Sequence, residues 1–161
     1  MGVYTDYDEF TSPISPTRLF KALVVDSHNL IPRLLPQAIT GIQTIQGDGG
    51  PGTIRQINFL EGGEVKSVKN RIDEVNEETL SYSYTTIEGD ALKDKFASIA
   101  HEAKFEEAPN GGSINKMTTK YYTKGDDVEI NQEEIKIGKE KLLGIYKFVE
   151  AYLLQNPHVY A

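Results

Sequence analysis

The sequence predicts an α+β fold in which one large antiparallel sheet curls around a single long C-terminal helix. Three observations carry this. The hydrophobic period changes from 3.6 to 2 between residues 38 and 123. Turn-forming clusters (GDGGPG, EGG, VNEE, EGD and PNGG) cut that stretch into short strands. The chain then closes on 131–154, where Ile135, Gly138, Leu142, Ile145, Val149 and Tyr152 recur every three or four residues. A sheet with short connections and one amphipathic helix buries both apolar faces when the sheet wraps the helix.

The elements follow in order. Residues 3–11 (VYTDYDEFT) alternate loosely and are rich in aromatic and β-branched side chains, so they predict a strand. Ser15-Pro16 is a helix N-cap followed by proline at the first helical position. The helix it opens, 17–25, carries Leu19, Phe20, Leu23 and Val24 on one face. A second short helix over 26–35 is disturbed by Pro32 and stops before Pro36. Six strands are then expected at about 38–46, 53–60, 65–75, 79–87, 95–106 and 113–123, with a bulge in 65–75, where alternation breaks down.

Composition narrows the function. A chain of 161 residues points to one domain, 1–161. Lys+Arg 17 against Asp+Glu 24 gives a net charge of −7, which repels nucleic-acid backbones and anionic membranes. With no cysteine, disulfides, thiolate nucleophiles and Cys-based zinc sites are excluded. The opening MGVYTDYDEF has neither a basic nor an apolar stretch, so no secretory signal is expected, and no apolar run is long enough to span a membrane. The expectation is a cytoplasmic monomer without a metal or cofactor.

Strand alternation sorts residues by face. It places Ala97, Ile99, His101, Ala103 and Phe105 inward on one strand and Leu80, Tyr82, Tyr84 and Thr86 on another. It places Arg55, Ile57 and Phe59 inward on a third, and Asn115, Met117, Thr119 and Tyr121 on a fourth. A filled core is mostly aliphatic. This inward set mixes Arg55, Tyr82, Tyr84, His101, Asn115, Thr119 and Tyr121 with the aliphatics, and each buried polar group left unpartnered costs about 1–3 kcal/mol. The set therefore predicts a cavity with an apolar wall and a few polar anchors, suited to a small amphiphile. Leu23, His28, Ile31, Val68 and Leu142 complete the expected wall, and Gly138 is expected to leave it room.

Other chemistry finds little support. Gly47-Asp48-Gly49-Gly50-Pro51-Gly52 lacks the Lys-Ser/Thr ending of a nucleotide loop and leads into a strand, so it reads as a structural connection. His28, His101 and His158 have no metal-ligand spacing. The charged residues of the last helix, Glu129, Glu133, Glu134, Lys136, Lys139 and Lys141, read as a solvated face.

Several motifs stand together in order: Gly47-Asp-Gly-Gly-Pro-Gly-Thr-Ile54, Ile87-Glu-Gly-Asp-Ala-Leu92, Gly111-Gly-Ser113 with Lys116 and Tyr121, Tyr122-Thr-Lys-Gly-Asp126 and Val149-Glu-Ala-Tyr-Leu153. With Met1-Gly-Val-Tyr4 they resemble, over the whole chain, the plant pathogenesis-related class 10 proteins, the family of the major birch-pollen allergen. The resemblance implies a helix-grip fold: a seven-stranded antiparallel sheet around the C-terminal helix, with two short helices after strand 1. It also implies a large cavity for flavonoids, cytokinins, other hormones or lipid-like molecules, and a stress- or defence-related protein that antibodies target as an allergen. Related branches inhibit phosphatases as abscisic-acid receptors or condense alkaloid precursors. Ribonuclease activity has been attached to the family through a glutamate; here that position holds Ala97, although Arg55, Glu150 and Tyr152 match other residues invoked for it. Glu61-Gly-Gly-Glu-Val65 replaces aromatics common in relatives, which implies a different entrance.

Overall fold

In the computed structural model, which describes residues 2–161, seven antiparallel strands form one sheet in the order β1-β7-β6-β5-β4-β3-β2. They are β1 (Val3–Ser12), β2 (Ile39–Gln46), β3 (Ile54–Glu61), β4 (Glu64–Asn76), β5 (Ser81–Gly89), β6 (Phe96–Glu107) and β7 (Ser113–Thr123). From β2 onward each strand pairs with its sequence neighbour. β1 then pairs with β7 in unbroken register, from Val3 opposite Tyr122 to Ser12 opposite Ser113.

Three helices accompany the sheet: α1 (Pro16–Phe20), α2 (Ser27–Leu34) and α3 (Gln132–Gln155). The Ser15 hydroxyl accepts from Arg18 N, and Pro16 occupies the first turn, as the sequence predicts. The expected continuous helix over 17–25 is corrected in one respect. After Phe20 it widens into a π turn, Lys21–Val25, that ends when Asp26 N donates to Lys21 O at 2.9 Å. α2 runs through Pro32 to Leu34. At the start of α3, Asn131 Oδ1 accepts from Glu133 N and Glu134 N, and both acids face the positive end of the helix dipole. No basic residue lies in its last turn; Arg18 of α1 fills that role from outside. Its guanidinium donates to the carbonyls of Leu153, Asn156 and Val159 at 2.9–3.1 Å.

The packed core lies at one end of the molecule. Ile14, Leu19, Phe20, Ala22, Val24, Leu30 and Phe105 close around Tyr146, Val149 and Leu153 on the C-terminal half of α3. Phe20 and Phe105 meet edge to face, with centroids 5.6 Å apart. On the N-terminal half of α3 Ile135 is the one buried residue, so this half spans the sheet without filling the space beneath it.

One face assignment is overturned. The β6–β7 register shifts between Phe96 and Ser98, so Ala97 is an extra residue that turns to solvent and Phe96 turns inward. The bulge expected in β4 is present, as register shifts at Lys69/Asn70 and Ile72/Glu74. Among the described residues, no helix is long and apolar enough to cross a membrane.

Candidate functional site

A cavity of about 230 Å³ lies between α3, α2 and the inner face of the sheet. The sheet supplies apolar surface through Ile39, Ile42, Ile57, Ala103 and Met117, and the helices through Leu23, Ile31, Leu142 and Leu143. The polar residues are Ser27, Asn70, Tyr82, Tyr84, Asn115, Thr119 and Tyr146, with Asp6, Asp8, Lys104, Lys116 and Lys139 toward the β1 side.

The cross-strand register explains this gathering. Ile57 of β3 stands opposite Ile42 of β2, and Tyr82 of β5 opposite Ala103 of β6. Ala103 in turn stands opposite Met117 of β7. All seven strands thus contribute to the wall, and the small Ala103 between Tyr82 and Met117 leaves a hollow. The Tyr82 and Tyr84 rings are 5.3 Å apart, and Tyr84 stacks on the His101 imidazole at 4.6 Å. Both tyrosines are shielded from bulk water yet keep accessible surface, which faces the cavity. Burial pushes the Tyr82 hydroxyl up to about 12 and Tyr84 higher still, so both phenols are neutral donors and acceptors at physiological pH. Neither hydroxyl has a hydrogen-bond partner among the described residues.

His101 sits beneath Tyr84, outside the lining, with its Nδ1 3.5 Å from Thr119 Oγ1. Burial depresses its pKa to about 4, which makes it a neutral ring in the wall rather than a cation. At the core end, Asn115 Nδ2 donates to the Tyr146 hydroxyl at 2.5 Å and to Ser113 Oγ at 3.1 Å.

Of the residues predicted from sequence, Leu23, Ile31, Ile57, Tyr82, Tyr84, Ala103, Met117, Thr119 and Leu142 line the cavity. Several others share the inner face but lie outside the lining. Ile99 and Tyr121 face each other across β6–β7, and the Tyr121 ring packs on Phe96 with centroids 5.3 Å apart. Phe59 pairs with Ile39 where β2 begins, and Val68 stands behind Ile57 on β4. Arg55 and His28 lie close enough for the guanidinium to lower the pKa of the imidazole, next to lining residues Asn70 and Ser27.

Gly138 is displaced from its expected place. It is exposed on the flank of α3, and a methyl group there would meet nothing within 4 Å. The Gly47–Gly52 loop folds on itself and contributes no residue to the lining. Gly49 N donates to the Thr53 hydroxyl at 2.9 Å, and Gly47, at φ 99°, packs so closely on Thr53 that a Cβ would lie 2.5 Å from Oγ1.

Sequence reasoning missed the acidic pair and its lysine. Lys139 is not part of a solvated face: its ammonium lies 3.0 Å from Asp6 and 2.9 Å from Asp8, and all three line the cavity. The hydrogen bond that Lys139 donates to Asp8 holds the Lys139 pKa above its usual value. Lys141 likewise pairs with Glu61 of β3, and Glu134 with Lys95. A signal was present in the first strand, because Asp6 and Asp8 alternate in phase with Phe10, which packs on the core.

A sheet gripping one long helix over a partly apolar cavity defines a helix-grip protein. A family model described as the pathogenesis-related protein Bet v 1 family matches residues 1–156, and the chain belongs to that family. The major allergen Pru ar 1 of Prunus armeniaca is 52% identical over 160 residues, 99% of each chain. The major allergen Mal d 1 of Malus domestica is 50% identical with the same coverage. Among solved structures, Ara h 8.0201 superposes with a TM-score of 0.89 at 39% identity, covering 96% of this chain and all of that one. A norcoclaurine synthase from Thalictrum flavum, in complex with dopamine and hydroxybenzaldehyde, matches with a TM-score of 0.74 at 20% identity. It covers 96% of this chain and 88% of that one. At that identity the likeness is one of fold.

Proposed function

We propose that residues 1–161 form one binding domain that carries or stores a small planar amphiphile in the cavity beneath α3, as a plant stress- or defence-related protein. The observation that carries this reading is a largely apolar cavity of about 230 Å³ into which Tyr82 and Tyr84 present phenol hydroxyls without protein partners. An apolar wall with a few unpaired polar groups is what a small-molecule site requires. The volume is that of about eight liquid waters, which suits a ligand of two or three fused rings better than a bulky lipid.

The energetics favour such a ligand. Each 100 Å² of apolar surface withdrawn from water supplies about 2.5 kcal/mol before the cost of immobilisation. Ile57, Met117 and Leu142 offer that surface on both sides of the cavity. Phenols serve several ligand chemistries, so selectivity is broad: flavonoids, cytokinins and similar molecules. The reading is a non-catalytic one. Ala97 stands on the outer surface of β6, and the −7 charge disfavours RNA. The similarity to named allergens supports this chain as an antibody target as well.

Calorimetry with a panel of neutral planar amphiphiles, on protein stripped of bound material, tests the reading. Micromolar binding is expected. Replacing both Tyr82 and Tyr84 by Phe reorders the panel more than it weakens it, because area remains while anchors go. Absence of heat with every member of the panel overturns the proposal. Native mass spectrometry of protein from its source then identifies the retained molecule.

A further inference from the structure

Arg55 is unpaired. Arg18 donates to main-chain carbonyls, Arg71 pairs with Asp73 at 2.7 Å, and Arg33 lies near Asp26. Arg55 has neither a hydrogen bond nor an ion pair among the described residues, and its Nε is buried without a partner. The same is true of Nδ1 of His28, which lies near enough for the Arg55 charge to act on it. Two unsatisfied polar atoms thus belong to separate elements whose adjoining residues, Asn70 and Ser27, both line the cavity, each at a cost that a missing partner would remove.

The neighbouring acids do not supply that partner. Asp26 accepts from the Tyr160 hydroxyl and from Asn29 Nδ2. Asp73 accepts from Arg71 and, at 2.6 Å, from the Thr85 hydroxyl. Arg55 stands next to the cavity wall, since Asn70, its cross-strand partner, lines the cavity. At the other flank of the sheet, Asp6 and Asp8 share the ammonium of Lys139.

We propose that the end of the cavity at Asn70, Ser27 and Tyr82, with Arg55 and His28 next to that lining, is a carboxylate subsite, and that the ligand is an anionic planar amphiphile with its acid group toward Arg55. The inference rests on the reading that the cavity holds a small amphiphile, and it names the head group. A carboxylate accepts from Arg55 Nε and from a protonated His28 Nδ1, and it replaces desolvated, unpaired donors with charge-assisted hydrogen bonds.

The test compares each acid with its primary amide, a near-isosteric neutral analogue: 1-naphthylacetic acid against 1-naphthylacetamide, and dodecanoic acid against dodecanamide. Affinities are measured by calorimetry near neutral pH and low salt. The neutral probe N-phenyl-1-naphthylamine reports occupancy of the cavity. The acid is expected to bind about tenfold more tightly than its amide or better, and Arg55→Gln to bring the two within about twofold. A larger preference in the naphthyl pair supports a planar aryl acid, and a larger one in the dodecyl pair overturns the planar ligand in favour of a fatty acid. Arg55→Lys, which keeps the charge, retains part of the preference. In the unaltered protein the His28 ring signal in NMR titrates at higher pH with the acid bound than with the amide. Acid and amide binding equally overturns the inference and leaves the cavity reading standing. A preference that survives Arg55→Gln overturns its placement. Failure of all five compounds to bind overturns the cavity reading and the inference with it.

Discussion

The ammonium of Lys139 lies 2.9 Å from Oδ2 of Asp8, joining the middle of α3 to the edge strand β1 across 131 residues of chain. The same nitrogen reaches Asp6. Three further polar links tie this half of the helix to its surroundings: Lys141 to Glu61, Glu134 to Lys95, and Tyr4 to Gln132 at 3.1 Å. The C-terminal half of α3 is held by a packed core instead. The two halves therefore respond to different perturbations: salt screens the first, and loss of apolar volume disrupts the second.

Lys139→Met is thus expected to loosen Gln132–Leu142 while leaving Tyr146–Leu153 protected. The groups are partly exposed, so the loss of stability is modest, about 1 kcal/mol. Amide hydrogen exchange resolves the two halves. Faster exchange in the N-terminal half alone is the expected result, and added salt in the unaltered protein should reproduce part of it. Uniform acceleration along α3 would show that the helix opens as one unit.

Much of this architecture is legible in the sequence, because hydrophobic period and turn chemistry act locally. The strand at 113–123 has the predicted bounds, and α3 is displaced by one residue at each end. What escapes is either a one-residue event or a distant one. At Ala97 a single extra residue reverses the facing of Phe96, and alternation counted from Ile99 backward passes over it. Lys139 reads as solvated because the acids that claim it lie more than 130 positions earlier. Phe59 and Val68 follow the correct alternation, yet the lining excludes them, because curvature and neighbouring side chains decide which inward residues reach the hollow.

Gly138 supplies a prediction opposite to the one its sequence position suggests. It is exposed and a methyl group meets open space, so Gly138→Ala removes a backbone-entropy cost without a clash. A gain of about 1 kcal/mol is expected, or a rise in Tm of roughly 2–4 °C for a chain of this length. Ligand affinity stays unchanged. Weaker binding in this variant would mean that the cavity extends to the flank of α3.

Gly47 behaves in the contrary manner. Its φ is 99°, and an added Cβ would stand 2.5 Å from Thr53 Oγ1 and 2.7 Å from Thr53 Cα. Thr53 is buried and its backbone pairs with Ile72, so it has no room to retreat. Gly47→Ala should cost about 2–4 kcal/mol through backbone strain and overlap. Denaturant melts give the number. A neutral result would mean that the loop adopts a second conformation.

His101 carries the pH dependence. Its imidazole titrates near 6.5 in the unfolded chain and near 4 in the folded one, because burial against Tyr84 disfavours the cation. Between those values the unfolded chain binds the extra proton, so stability rises with pH through this window and falls on acidification. Above the unfolded value the ring is neutral in both states and costs nothing; below the folded value the full penalty, about 3 kcal/mol, has been incurred. His28 is shifted the same way and adds to the slope. His101→Gln removes the larger contribution. Urea melts of both proteins across this range should show the variant losing less stability on acidification, with a residual slope from His28 and the carboxylates. Parallel curves would mean that the folded imidazole is already charged, and that Tyr84 stacks on a cation.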